Sequence, residues 1–158
     1  MRGIFIFLLI IISCSDIDNK NIKVQAPIPT SINSFFNEKP KIIKLDLTSS
    51  SQIESWAKMI SFTDKFSDLF EKEINHKSKI KLLSTELDKI KKETIPGKYK
   101  TSPIIGRIRV VNTYLQKIDS YLLNQENLEG YKIDLENLLE SYNGLIFQIN
   151  LISKQQDN

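Results

Sequence analysis

One cysteine, one histidine and one tryptophan stand in a chain of 158 residues, beside only five glycines and five prolines. Each scarcity excludes something. A lone Cys14 leaves no partner for a disulfide framework and no basis for a site built on several cysteines. A lone His76 gives a Ser-His-acid triad or a histidine general base one place to stand, and forbids the paired Glu-x-x-His motifs of di-iron bundles. No Gly-rich phosphate loop, HExxH or EF-hand spacing occurs. No apolar run reaches the ~20 residues that a bilayer-spanning helix needs. Neither an enzyme nor a cofactor or metal carrier is expected from such a stock of side chains. A formal charge of +3 is too near neutral to argue for nucleic acid.

What is present begins with a label. Arg2 supplies a positive charge, Ile4 to Ile12 form an apolar run, and Ser13 precedes Cys14. That layout is a secretory signal's. Its ending, Ile11-Ile12-Ser13-Cys14, resembles the lipobox of bacterial lipoproteins. The resemblance covers residues 1–14 and implies location. It implies that Cys14 takes a diacylglyceryl group, that the chain is cut before it, and that the new amine is acylated. Two acyl chains already give stable anchoring, at ~0.8 kcal/mol per buried CH₂. Ser15 rather than Asp follows the cysteine, which in this resemblance points to the outer membrane.

Residues 15–33 are polar, carry Pro27 and Pro29, and read as a flexible tether. Phe35-Phe36 and Ile42 to Leu47 are too apolar for a free linker. Ile43, Leu45 and Leu47 alternate with Lys44 and Asp46 at strand period, with no second strand to pair with. An extended strap lying along a helical domain is expected, or else an edge that a partner augments.

Helices fill the rest. Scarce Gly and Pro and abundant Lys, Glu, Leu and Ile suit them. Ser51-Gln-Ile-Glu54 has the form of a capping box. Met59, Phe62, Phe66, Leu69, Ile80, Leu83, Leu87 and Ile90 then share one frame, interrupted by polar Glu73 and His76. One helix running to about Glu93 is favoured, a break near Asn75-His-Lys-Ser78 being the alternative. Pro96-Gly97 suits a type II turn, and Ser102-Pro103 suits an N-cap followed by proline at the first helical position. Ile104, Ile108, Val111, Leu115, Ile118 and Leu122 make the next face. Asn124 to Asn127 form a turn. Leu128, Tyr131, Leu135, Leu138, Tyr142, Leu145, Ile149 and Ile152 then alternate spacings of three and four without a miss. Asn143-Gly144 is a turn signal inside that ladder, yet the ladder argues for an unbroken helix.

The expected fold is therefore all-α: an up-down antiparallel bundle of three long helices, four if the first breaks near residue 76. Residues 1–13 are the signal peptide, 14–48 the acylated cysteine with tether and strap, and 49–158 the bundle domain.

Charge is unevenly spread. Residues 77–109 hold ten lysines and arginines against three acids, and residues 126–140 hold one lysine against five acids. Lys98, Lys100, Arg107 and Arg109 gather near the start of the second helix, where unpaired backbone N–H groups attract anions. They are candidates for contact with an acidic partner, ligand or lipid headgroup, against the plainer reading of solvated charge. Glu136 and Glu140 sit one turn apart on an outer face, where solvation is the usual role. His76 is expected to be solvated or to fill a gap. Trp56, with Ile53 and Ile60, is expected in the core or against the Phe35-Phe36 segment.

The functional expectation is an exported lipoprotein, held in membrane lipid by acyl chains on Cys14, whose bundle binds another envelope protein. The alternative is a lipoprotein that binds a small anionic ligand or lipid at the basic hairpin end. A cavity favours the second; a bare apolar strip beside the strap favours the first.

Overall fold

A computed structural model describes residues 41–70, 76–121 and 127–155. The signal, Cys14, the tether of residues 15–33 and Phe35-Phe36 lie outside the described residues. The fold is all-α. Among the described residues, five α-helices and one 3-10 turn make up the regular structure, with no strand.

Residues 41–46 form an extended strap that leads into helix α1, Leu47–Gln52. Asp46 caps α1: its carboxylate accepts from the Ser49 N–H at 2.7 Å. Two expectations fail here. Ser51 lies inside α1 and is no N-cap, and Leu47, the last residue of the alternating run, points outward at 92% exposure. Burial explains both. Ile53 and Trp56 are wholly inside the core, and the chain turns between α1 and α2, Ala57–Asp68, to put them there, with Trp56 N–H donating to the Ile53 carbonyl at 2.7 Å.

The favoured continuous first helix does not form. Helix α2 ends at Asp68, and α3, His76–Lys92, doubles back beside it. Ser61 and Lys65 both reach Glu86, while the Lys79 ammonium reaches the Asp68 carbonyl. The physical reason is packing. A straight helix through residue 93 would hold Phe62 and Phe66 some distance from Ile80 and Leu87, whereas folding back gives each apolar half a partner. The frame gives way between Asp68 and His76, the facing ends of the two helices.

A 3-10 turn, Gly97–Tyr99, follows Pro96. The type II turn is absent: the Tyr99 N–H donates to the Pro96 carbonyl at 2.9 Å, one residue later than that turn requires. Helix α4, Ser102–Ser120, is capped by Thr101 rather than Ser102. Helix α5, Leu128–Lys154, carries straight through Gly144. Leu122 and Asn124 lie outside the described residues. Arg107 sits beside Gly144 and Tyr121 beside Gly130, so α4 and α5 run in opposite directions. Helices α2, α3, α4 and α5 pack in sequence order, and α1 and the 3-10 turn pack on α5.

The apolar frames become the core. From Tyr131 to Ile149 every ladder position of α5 is buried, and Leu128 and Ile152 pack against its ends. Tyr142 stacks flat on Phe66, centroids 3.6 Å apart and planes 2° from parallel, tying α5 to α2. Trp56 faces the Tyr99 ring at 6.0 Å.

Candidate functional site

Helix geometry places Asn143 and Asn150, seven residues apart, on one line along the flank of α5, about 90° from the Tyr142 core line. Each side-chain amide offers a carbonyl acceptor and an NH₂ donor, the same pair that a backbone peptide offers. Asn143 accepts from the Ile43 N–H at 2.8 Å and donates to the Lys41 carbonyl at 2.9 Å. Asn150 accepts from the Asp46 N–H at 3.2 Å and donates to the Lys44 carbonyl at 3.0 Å. The two amides thus stand in for a neighbouring strand.

The register fits because two lengths agree. Seven helical residues rise about 10.5 Å, and three extended residues span about 10 Å. Ile42, Ile43 and Leu45 pack against the core along this line. The Asp46 carboxylate lies 3.2 Å from the Lys154 ammonium at the end of α5. Bonds from Ser49, then the Lys154 charge, hold that carboxyl below its usual range.

Beside the asparagine line the surface turns apolar. Phe147 lies between the two asparagines along the helix and stays 57% exposed; Leu151, one turn on, is 42% exposed. Leu47, at the strap's end, is exposed as well. Glu136 and Glu140 are exposed on the same outer side of α5, as expected of solvated acids.

The basic residues are less convergent than their sequence spacing suggests. Lys98 is engaged: its ammonium bonds the Gln52 side-chain carbonyl and lies 5.3 Å from the Tyr99 ring centre. The Tyr99 hydroxyl is 2.7 Å from Ser153 Oγ, and Ser153 Oγ donates to the Ile149 carbonyl. Together these bonds fasten the 3-10 turn to α1 and α5. Lys100 and Arg109 are exposed. Arg107 is half-buried, with Nη1 donating to the Pro103 carbonyl at 3.4 Å and Nε near Gly144. Two residues apart on a helix, Arg107 and Arg109 point about 200° apart. The first turn of α4 also has little left to offer an anion. Pro103 has no N–H, and the Ile104 and Ile105 amides bond the side chain and carbonyl of Thr101. At most the Ser102 amide remains.

No family model matches the chain. No curated protein and no solved structure matches it either.

The chemistry of the site therefore rests on its own side chains. His76 is buried at the head of α3, where burial first and the Lys79 charge second push its pKa down to about 4. Two carboxylates are also buried, each with a cation. Glu86 lies 2.8 Å from Lys65 and 2.9 Å from Lys89, which hold its pKa below the usual value. Asp134 takes Lys117 at 2.8 Å and the Tyr121 hydroxyl at 2.6 Å, and that bond raises the tyrosine's pKa. Gly130 permits this approach, because a Cβ there would sit 3.1 Å from the Tyr121 hydroxyl. These pairs tie α2 to α3 and α4 to α5, a bracing arrangement. Among the described residues no group of three or more His, Cys, Asp or Glu could hold a metal, and no helix is long and apolar enough to cross a membrane.

Sequence reasoning missed the asparagine pair. The available signal was their seven-residue spacing along one flank of an otherwise regular ladder, opposite an alternating stretch with no strand to pair with.

Proposed function

We propose that this chain is an exported lipoprotein whose helices act as a non-enzymatic interaction or structural module toward another protein of the cell envelope. Acyl chains on Cys14 hold it in membrane lipid, the outer membrane being the expected address. Residues 14–48 then serve as tether and strap, and the helices of residues 49–158 follow an up-down path. The opposed runs of α2 against α3 and of α4 against α5 support that path. The Ile11-Ile12-Ser13-Cys14 pattern supports the anchor.

One observation carries the interaction reading: the bare Phe147 and Leu151 margin beside the strap. Exposed apolar side chains scattered singly are ordinary. Here two lie one turn apart against a groove already built to hold an extended segment.

Two measurements test the proposal. Intact-mass analysis of the membrane-extracted protein is expected to show a chain beginning at Cys14 with added acyl chains; an unmodified, uncleaved chain would remove the anchor from the account. A photo-crosslinking residue at Phe147 is expected to trap an envelope protein in living cells, while the same residue at exposed Thr113 on α4 traps none. Equal trapping, or none at either position, contradicts an interaction role for this face.

A further inference from the structure

We infer that the outer face of α3 lies on an anionic lipid surface, its exposed lysines resting among the headgroups of the membrane that holds the chain. The inference rests on the anchored reading above for its nearness to lipid, and adds a second, electrostatic contact with that membrane.

Four observations lead there. First, α3 sorts its charges by side. Lys77, Lys81, Lys89, Lys91 and Lys92 are exposed, whereas Glu86 is buried with Lys65 and Lys89 as its partners. Asp88 is the one exposed acid of the helix, and it pairs with Lys91 at 2.9 Å. Second, Lys77, Lys81 and Lys92 fall on one face of the helix with exposed Thr85 between them, a line about 22 Å long. Among the described residues no carboxylate pairs with any of these three lysines. Third, helix stability does not account for Lys77. It stands in the first turn of α3, which holds no acid, and a cation there opposes the helix dipole. Fourth, exposed acids gather elsewhere. Glu129, Glu136 and Glu140 share the outer face of α5, and α4 packs on both α3 and α5. An anionic plane attracts the first of these faces and repels the second.

The chemistry favours lipid over an acidic protein. Every cation on this face is a lysine, a mobile point charge; none is an arginine, whose fork suits a single phosphate or carboxylate. The face is also the convex outside of a helix, so a plane touches the whole line at once.

Vesicle sedimentation tests this on the full mature chain with Cys14→Ser, so that no acyl chain contributes. Vesicles of phosphatidylcholine alone are compared with vesicles that also contain phosphatidylglycerol. The chain is expected to bind only the second kind, and to be released at about 1 M salt, where the screening length falls to ~3 Å. Lys77→Gln with Lys81→Gln should weaken binding about 25-fold, from about fivefold per lysine, without lowering thermal stability. Lys58→Gln with Lys132→Gln removes the same charge from α2 and α5 and should weaken binding far less. No binding to the phosphatidylglycerol vesicles, or an equal loss in both double variants, would overturn the inference. In cells, a photo-crosslinking residue at Thr85 is expected to trap lipid. A protein adduct there assigns the face to an acidic partner and overturns the inference as well. The anchor and the lysine face fail separately, because vesicle binding needs no acyl chain and intact mass reports the anchor alone. An acylated chain whose Cys14→Ser form ignores the vesicles keeps the anchor and sinks only this inference.

Discussion

Helix α5 has two working faces, and they are built by different rules. Its core face is a ladder of apolar side chains at spacings of three and four, buried from Tyr131 to Ile149. Its flank carries two asparagines seven residues apart that bind a segment about a hundred positions away in sequence. The first face works by area and shape, so it tolerates exchange among apolar residues of similar volume. The second works by donor and acceptor geometry, and no isostere without both groups replaces it. The core face holds the helices together; the flank decides what extended segment lies along them.

Truncating the core face should show the largest effect. Leu138→Ala, in the middle of the ladder, is expected to cost ~2–5 kcal/mol by removing buried contacts and leaving a cavity. Glu136→Ala, two residues away and exposed, should stay within ~0.5 kcal/mol. A denaturant titration measures both, and equal small effects would dissolve the distinction between the faces.

Next comes the core's influence on a polar group. His76 is held neutral, its pKa lowered from 6.5 to about 4 by burial and then by Lys79. The folded state binds that proton less readily than the unfolded one. The stability it contributes is present above the unfolded value and is lost as pH falls from 6.5 toward 4. The loss should be about 1–3 kcal/mol across that window, and His76→Gln should flatten it. The range from pH 6.5 to 5 isolates the histidine, because Glu86 and Asp46, whose pKa values are lowered, titrate below their ordinary carboxylate range.

On the flank, Asn143→Ala with Asn150→Ala removes all four strap bonds. Each is worth ~0.5–1.5 kcal/mol while the strap stays docked. A released strap can hydrate its own amides, so the cost is expected to level off at about 1–2 kcal/mol. Replacing the bare margin, Phe147→Ser with Leu151→Ser, should change stability least, within ~0.5 kcal/mol per site.

Periodicity made the core face legible before any coordinates. The ladder of α5 and the frames of α2, α3 and α4 fall where the spacing puts them, because burial along one helix is a local, repeating property. Turn chemistry and polar partners were less legible. The chain reverses between α2 and α3 without a glycine or proline to announce it, since the gain comes from packing two apolar halves together. Asn143-Gly144 carries the signature of a turn, yet Asn143 spends its amide on the strap and the helix runs on. Lys98, Lys100, Arg107 and Arg109 cluster in sequence, but Lys98 is drawn to Gln52 and the two arginines diverge around α4. Charge spacing alone does not encode that divergence; the face each side chain lands on does.

Amide hydrogen exchange at Ile43 and Asp46 tests the two-faced account of α5 most directly. In the wild-type chain both amides are bonded to asparagine side chains and should exchange far more slowly than amides of an unstructured peptide. In the Asn143→Ala, Asn150→Ala chain they should exchange at the unstructured rate, while the amides of Leu138, Tyr142 and Leu145 keep their protection. If Ile43 and Asp46 exchange equally fast in both chains, the asparagine flank does not hold the strap and the account is wrong.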